Sequence, residues 1–433
     1  MTGNKFLLGL VITAIILVSV PASAASGEYT LGIFGNANED DTIDLKDVEY
    51  TASLVLGLGD QTQLADSKYD DKINMLDVTQ IELIMLGREK KLTLLDYADR
   101  IVTINKPVER VVCADLLDGI TTLVQLGAED KIVAITEGTK KNGYGQLINP
   151  ESGSWWTPLQ SAAPELKDLP MVGTWQDPNL EMLVSLKPDV VFVYCARGMD
   201  TLGTIQDKTG APIICLSSLT GSNFANFDDS LEIYRLAGGI VGKEKEAEEL
   251  ISYADIKMKE ITEITSDIPD REKPRVYMVG WMVYLTKTPR YYGPINMAGG
   301  INVAEGSGTG FLMADVSKEQ IIAWNPDIIL IHRVPTSKSH VWGNSVEDVL
   351  TDLDLQSINA VMNKRVYYTK GFCAGWDPAS GIAETFYLAK LFHPDEFEDL
   401  DVEEEGNGIL EKFYGVDSLY TEMADRCELY RWE

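Results

Sequence analysis

The sequence predicts an α/β chain: two similar α/β lobes joined by a long helix and preceded by a small α-helical module. Three observations predict it. Beyond about residue 95, continuous Val/Ile/Leu runs alternate with amphipathic stretches, the pattern of parallel strands covered on both faces. A helix–strand unit at 177–193 returns at 315–331. A loop–helix unit repeats at an offset of 30 residues before either lobe begins. The expected layout is a signal peptide over 1–24, the module over 25–90, an N-terminal lobe over 95–230, an interlobe helix over 231–270 and a C-terminal lobe over 271–433. A length of 433 residues suits two or three domains.

The chain opens MTGNKFLLGLVITAIILVSVPASAAS. Lys5 supplies a positive start, Phe6 to Val20 is apolar, and Ala22-Ser23-Ala24 is a small-residue cleavage pattern. These features read as a secretory signal peptide, short for a membrane-spanning helix. An uncleaved N-terminal anchor is the alternative. The formal net charge is −30, which argues against nucleic acid and anionic membrane as partners. Five cysteines (113, 195, 215, 373 and 427) are scattered without a C-x-x-C. Cys113, Cys195 and Cys215 fall in or beside strand-like runs, where buried free thiols are expected. Three histidines, His332, His340 and His393, are too few and too dispersed for a histidine-rich metal site.

The repeat reads GNANEDDTIDLKD at 35–47 and ADSKYDDKINMLD at 65–77. Oxygen-bearing residues at loop positions 1, 3, 5, 9 and 12 suit a hard cation that takes about six to eight oxygen ligands. In the first loop these are Asn36, Asn38, Asp40, Asp44 and Asp47, with the Thr42 carbonyl at position 7. In the second they are Asp66, Asp70, Asn74 and Asp77, with the Lys72 carbonyl. The pattern resembles a dockerin module, which implies Ca2+ in the loops and a cohesin-like partner. Two departures stand out. Position 6 is Asp41 or Asp71 where the family has glycine, and position 3 of the second loop is Lys68, which cannot ligate a cation. A turn pair rich in Asp and Asn, without metal, is the alternative.

Strands are expected at Arg110–Cys113, Lys131–Thr136, Asp189–Tyr194 and Pro212–Leu216 in the first lobe. In the second they are expected at Arg275–Gly280, Asp327–His332 and Arg365–Thr369. DPNLEMLVSLKPDVVFV (177–193) and DVSKEQIIAWNPDIILI (315–331) match residue for residue in their design. Each has a glutamate seven residues before proline, an apolar pair within the helix, and Pro-Asp opening a buried strand. Between the lobes, Lys243 to Thr265 holds no Pro or Gly, and Ala247, Leu250, Ile251, Ala254, Met258, Ile261 and Ile264 recur at helical spacing. A helix of that length spans roughly 35 Å, enough to cross from lobe to lobe. It predicts small hinge motion. HPDEFEDLDVEEEGNG, ending at 408, reads as an acidic loop (394–408) and the remainder as a helical cap.

Taken in order, RVVCADLLDGITTLVQLGAEDKIVAIT, MVGTWQDPNLEMLVSLKPDVVFV, YRLAGGIVGKEKEAEEL, INMAGGINVA, DVSKEQIIAWNPDIILI and NKRVYYTKG resemble the helical-backbone class of ABC-transporter solute-binding proteins. The resemblance covers about residues 95–395. That family captures ferric siderophores, haem and cobalamin for a membrane permease and its ATPase. In it, one glutamate on each lobe pairs with permease arginines, and the matching positions here are Glu181 and Glu319. A carboxylate in the first turn of a helix also suits the helix dipole.

Ligand is expected between the lobes, at the carboxyl ends of the strands. Trp175 and Tyr194 resemble aromatic contact positions of the cobalamin-binding members. Trp155, Trp156, Trp281, Tyr291, Tyr292 and Trp376 are further aromatic candidates, and Arg197, Arg290 and Arg333 could meet carboxylate or phosphate. The expected cargo is an iron chelate of siderophore or haem type; a corrinoid is the alternative. A scaffold or adhesion role, tethered by the dockerin-like module, is the alternative of another class. No G-x-S-x-G, P-loop or H-E-x-x-H appears, so neither an enzymatic role nor a catalytic cofactor is expected.

Overall fold

The computed structural model describes residues 30–144, 156–194, 199–217, 227–280, 284–307, 313–333, 344–371 and 377–432. The expected signal peptide, Trp155, Arg197, Trp281, Trp376, Cys195, Cys373 and His340 lie outside these residues.

The repeat folds into two loop–helix units, with helices α1 (Leu45–Val55) and α2 (Met75–Met85). Asp44 and Asn74 cap the helix starts, and Asp47 and Asp77 return to the cap backbone to close capping boxes. Left-handed backbone falls at loop position 4, Glu39 (φ 57) and Tyr69 (φ 53), and at Asp71 (φ 63). A hairpin follows, β1 (Lys91–Leu95) with β2 (Ile101–Asn105), and it straddles the boundary expected between module and lobe. Ile33 bridges to Leu94, and the Phe34 N–H donates to the Thr93 carbonyl at 2.9 Å.

The N-terminal lobe is a parallel sheet. It holds β3 (Val111–Cys113), α3 (Asp118–Gln125), β4 (Ile132–Ile135), α4 (Leu180–Leu186), β5 (Val190–Tyr194), α5 (Met199–Thr209) and β6 (Ile213–Ser217), with strand order β4-β3-β5-β6. The interlobe segment is two packed helices, α6 (Phe227–Val241) and α7 (Glu244–Thr265), joined by a turn at Gly242. The C-terminal lobe contains β7 (Arg275–Val279), β8 (Lys287–Pro289), β9 (Ile301–Asn302), β10 (Met313–Asp315), α8 (Lys318–Trp324), β11 (Ile328–His332) and β12 (Val366–Thr369). Its main sheet has the order β12-β11-β7-β9, again parallel, and β8 pairs with β10 antiparallel. Helices α9 (Pro378–Phe392), α10 (Val402–Tyr414) and α11 (Leu419–Cys427) complete the chain.

One continuous apolar core runs through the molecule. It joins Leu31, Ile33 and Ile84 of the module to Leu92 and Leu94 of the hairpin, Phe192 of the first lobe, Leu250 of α7, Leu330 of the second lobe and Phe413 of the cap. The module is thus packed into the body; it does not hang from it.

Two expectations are corrected here. The second part of the acidic loop, from Val402 on, is helix: Asp401 accepts the N–H groups of Glu403 and Glu404, and Glu403, Glu404 and Glu405 occupy the first turn of α10, where the helix dipole favours carboxylates. Gly406 is there for close packing, because a Cβ would fall 2.4 Å from the Tyr420 ring of α11. Cys215 is disulfide-bonded, whereas Cys113 is the buried free thiol that was expected.

Candidate functional site

Glu181 and Glu319 stand exposed in the first turns of α4 and α8. Asn179 caps one helix by accepting from Met182 N at 3.0 Å; Ser317 caps the other by accepting from Gln320 N at 3.2 Å. Both helices end on a left-handed residue, Lys187 (φ 47) and Asn325 (φ 44), directly before Pro-Asp. The aspartates then do the same work. Asp189 accepts from Arg110 N at 2.9 Å, and Asp327 accepts from Arg275 N at 3.0 Å. The two arginines close the loop by donating to the helix C-termini, Arg110 to the Leu186 carbonyl at 2.7 Å and Arg275 to the Trp324 carbonyl at 2.9 Å. Sequence reasoning missed this arginine pair, although Arg110 and Arg275 sit at matching starts of the expected strands. The backbone and first-turn hydrogen bonds lower the Glu319 carboxyl below its usual range, so it is charged at neutral pH.

A buried polar network joins the lobes. Gln125, at the end of α3, donates to Asp377 at 2.9 Å, and Asp377 caps α9 through Ser380 N (3.2 Å) and Ser380 Oγ (2.7 Å). Tyr234 of α6 donates to Gln125, and the Tyr414 hydroxyl of α10 meets both Asp377 and Gln125. Cap helix α11 touches the N-terminal lobe as well: Arg426 lies 5.8 Å from the Trp156 ring, and Ser161 reaches Glu422 at 3.4 Å.

The carboxyl ends of the strands carry most of the remaining candidates. Trp175 is half-buried and meets Tyr194 edge-to-face, with ring centroids 5.4 Å apart. Its loop is pinned by Gly173 (φ +86), where a Cβ would fall 2.6 Å from the Asp177 carbonyl oxygen. Burial, then the nearby Asp118 and Asp115 carboxylates, push the Tyr194 phenol up, so it stays a neutral donor. On the other lobe Arg333 follows β11. Its guanidinium stacks over Tyr368 at 5.2 Å and pairs with Glu428 at 2.5 Å, leaving Nε buried without a hydrogen-bond partner. Arg290 lies 5.6 Å from the exposed Tyr291 ring.

Two candidates are relocated. Trp156 is 2% exposed and belongs to the core, despite its Ser/Gly/Pro-flanked segment. Tyr292 is 1% exposed and donates to Glu384, which also accepts from Thr369 and from Gly371 N. It is part of a buried brace under the strand ends.

Beside that brace lie Lys370 and His332, both fully buried. Burial, reinforced by the Lys370 ammonium, holds the His332 imidazole down from 6.5 to about 3. The sign follows: the unfolded chain takes up a proton that the folded chain refuses. Stability from this site is therefore intact above pH 6.5 and lost as pH falls toward about 3, by up to ~1.4 kcal/mol per pH unit. Urea midpoints measured from pH 7 to pH 4.5 should show a shallower slope for His332→Met than for wild type; equal slopes would reject this.

In the module, Asp47 accepts from Asn38 N (3.1 Å) and Asp44 N (2.7 Å), and Asp77 accepts from Lys68 N (3.1 Å) and Asn74 N (2.9 Å). Burial raises both carboxyls, Asp47 to about 6. Among the described residues no three His, Cys, Asp or Glu side chains converge to hold a metal ion. The first loop nonetheless holds an orphan: Asn36 is fully buried, its Nδ2 donates to Leu31 and Asp40 carbonyls, and its Oδ1 has no partner. A buried carbonyl oxygen left unpaired is costly, and a hard cation is what such a donor set suits. In the second loop Asp66 accepts from the N–H groups of Asp70 and Asp71, and the Lys68 ammonium lies 4.0 Å from Asp70.

Two parallel α/β lobes bridged by helices have the architecture of a two-lobed binding protein. The family model for periplasmic binding proteins matches residues 113–371, more than half of the chain. The chain belongs to that family and is an ABC-transporter solute-binding protein. It is similar to the molybdate-binding protein MolA of Haemophilus influenzae, 27% identical over 338 residues, covering 74% of this chain and 90% of that one. It is also similar to the vitamin B12-binding protein of Salmonella typhi, 25% identical over 217 residues, covering 49% of this chain and 76% of that one. The solved structure of MolA bound to molybdate superposes with a TM-score of 0.60 at 25% identity, covering 75% of this chain and 98% of that one. The TroA-like protein FepB of Veillonella parvula shares the fold, with a TM-score of 0.58 at 22% identity over 75% of this chain and 97% of that one. Among the described residues no helix is long and apolar enough to cross a membrane.

Proposed function

We propose that this chain is exported and captures an iron chelate of siderophore or haem type between its lobes, delivering it to an ABC permease that docks at Glu181 and Glu319. It binds and does not catalyse. The observation that carries the reading is the contrast between the two sets of strand ends. One lobe offers the Trp175–Tyr194 pair, and the other offers Arg333, with Arg290 beside Tyr291. An aromatic wall opposite arginines suits a flat or bulky chelate bearing carboxylate or catecholate charge. Trp281, Trp376, Trp155 and Arg197, outside the described residues, are proposed as further ligand contacts. The aromatic pair also favours a second reading, a corrinoid. A small oxyanion would use the arginines and leave the aromatics idle.

The first loop of the module is proposed to hold Ca2+ through Asn36, Asn38, Asp40, Asp44, Asp47 and the Thr42 carbonyl. In the second loop Lys68 supplies part of the positive charge, and Asp66, Asp70, Lys72, Asn74 and Asp77 form a weaker site. Exposed apolar residues at repeat-equivalent places, Leu45 with Met75 and Leu56 with Leu86, would face a cohesin-like partner. Such a partner, or an uncleaved N-terminus, would keep the protein at the cell surface.

The test is a tryptophan-quenching titration of residues 25–433 with ferric citrate, haem, cyanocobalamin and molybdate. Ferric citrate or haem should bind, and Trp175→Ala should weaken binding about tenfold, the size of one aromatic contact of ~1–1.5 kcal/mol. Tight cyanocobalamin binding alone would move the assignment to corrinoids. Failure of all four would leave the scaffold role.

A further inference from the structure

Asp41 stands at loop position 6, where calcium loops of the EF-hand type carry glycine. The structure shows what the departure does. Asp41 pairs with Arg235 of α6 at 3.2 Å, and the same guanidinium grips Glu248 of α7 by two bonds, at 2.8 and 3.2 Å. One side chain therefore ties the first loop to both interlobe helices. The contact is reinforced on either side. Ile33 packs so closely on Gly239 of α6 that a Cβ there would fall 2.7 Å from it. Lys106, buried, pairs with buried Glu89 at 3.3 Å and donates to the Gly239 and Ile240 carbonyls at the end of α6. Within the loop, Asn36 keeps a buried oxygen without a partner, while its Nδ2 donates to the Leu31 and Asp40 carbonyls.

We infer that a divalent, oxygen-seeking cation in the first loop stabilises the two-lobed body itself, transmitted through Asp41, Arg235 and Glu248. The inference rests on the calcium reading given above. The physical route is short. Without a cation, the repulsion among Asp40, Asp44 and Asp47 is offset in part by the exposed Lys46, 3.9 Å from Asp40 and 3.6 Å from Asp44. A loop that relaxes to separate them pulls Asp41 away from Arg235 and leaves that guanidinium with one carboxylate fewer. A cation that binds the folded loop and not the unfolded chain stabilises whatever unfolds together with the loop. Because the core is continuous from module to cap, that unit includes the lobes.

The chain provides a selective reporter. All eight tryptophans lie at or beyond residue 155, so tryptophan fluorescence reports the lobes and not the module. Thermal unfolding of the full chain is followed by tryptophan emission in calcium and in excess chelator, alongside a direct calorimetric titration with calcium alone. Calcium should bind, and it should raise the tryptophan midpoint by about 1 °C for each kcal/mol of linkage, as expected for a unit of about 400 residues. Asp41→Gly restores the usual loop residue and removes none of the cation's oxygen donors. It should bind calcium within a few-fold of wild type while losing most of the shift. Arg235→Gln should behave alike, and it guards against a glycine-specific effect. Absence of calcium binding would overturn the site. Binding without a tryptophan shift would overturn only the linkage. A shift undiminished in both variants would overturn the ionic route.

Discussion

Glu181→Arg combined with Glu319→Arg is expected to reduce uptake to background while leaving cargo affinity within twofold of wild type. Both carboxylates stand exposed on helix starts. On the proposed docking, reversing their charge would set arginine against permease arginines, and like charges across an interface cost several kcal/mol. Each single variant should retain partial uptake, because one of two contact points survives. Uptake in a strain carrying the permease, paired with quenching titrations of the purified variants, checks both halves. Lost affinity with intact uptake would reassign both residues to the cargo site.

Asp377→Ala is expected to cost about 3 kcal/mol of stability, read from urea midpoints. The side chain is 4% exposed and serves two structures at once. As the cap of α9 it contributes ~1 kcal/mol. As the acceptor for Gln125 and Ser380 it satisfies buried donors, whose abandonment costs about 1–3 kcal/mol. Asp377→Asn keeps an acceptor and should lose less than half as much. In a double-mutant cycle with Gln125→Ala the two losses should not add, since the residues share one bond across the lobes. Additive losses would mean that the cross-lobe bond contributes nothing.

The seven expected strands are legible because most are continuous apolar runs covered on both faces; β12 (VYYT), with two half-buried tyrosines, is the weakest of them. Val190–Tyr194 and Ile328–His332 are buried throughout. The β1–β2 hairpin lies outside the expected strands, because Leu92 and Leu94 fall in the gap between the expected module and lobe. The β8–β10 pair is three residues on each side, too short to show any period. DVEEEGNG resembled a loop by composition. The reason for its glycine lies in Tyr420, a contact no local pattern displays. Trp156 misled in the opposite direction: its flanks look like a surface loop, but the site it fills is made by distant α11. The twin glutamates were legible because a repeat marks them. The Asp41–Arg235 contact joins residues 194 positions apart, and only the odd aspartate at a glycine position hinted at it.

The matching clamps at Arg110 and Arg275 have a consequence of their own. Each fixes a helix end to its own sheet, while Asn179 or Ser317 fixes the helix start. Neither glutamate can drift within its lobe. The separation between them is therefore a gauge of the angle between lobes and of nothing else. On the proposed docking, a permease that gripped both points would sense that angle as a caliper would, without touching the cargo.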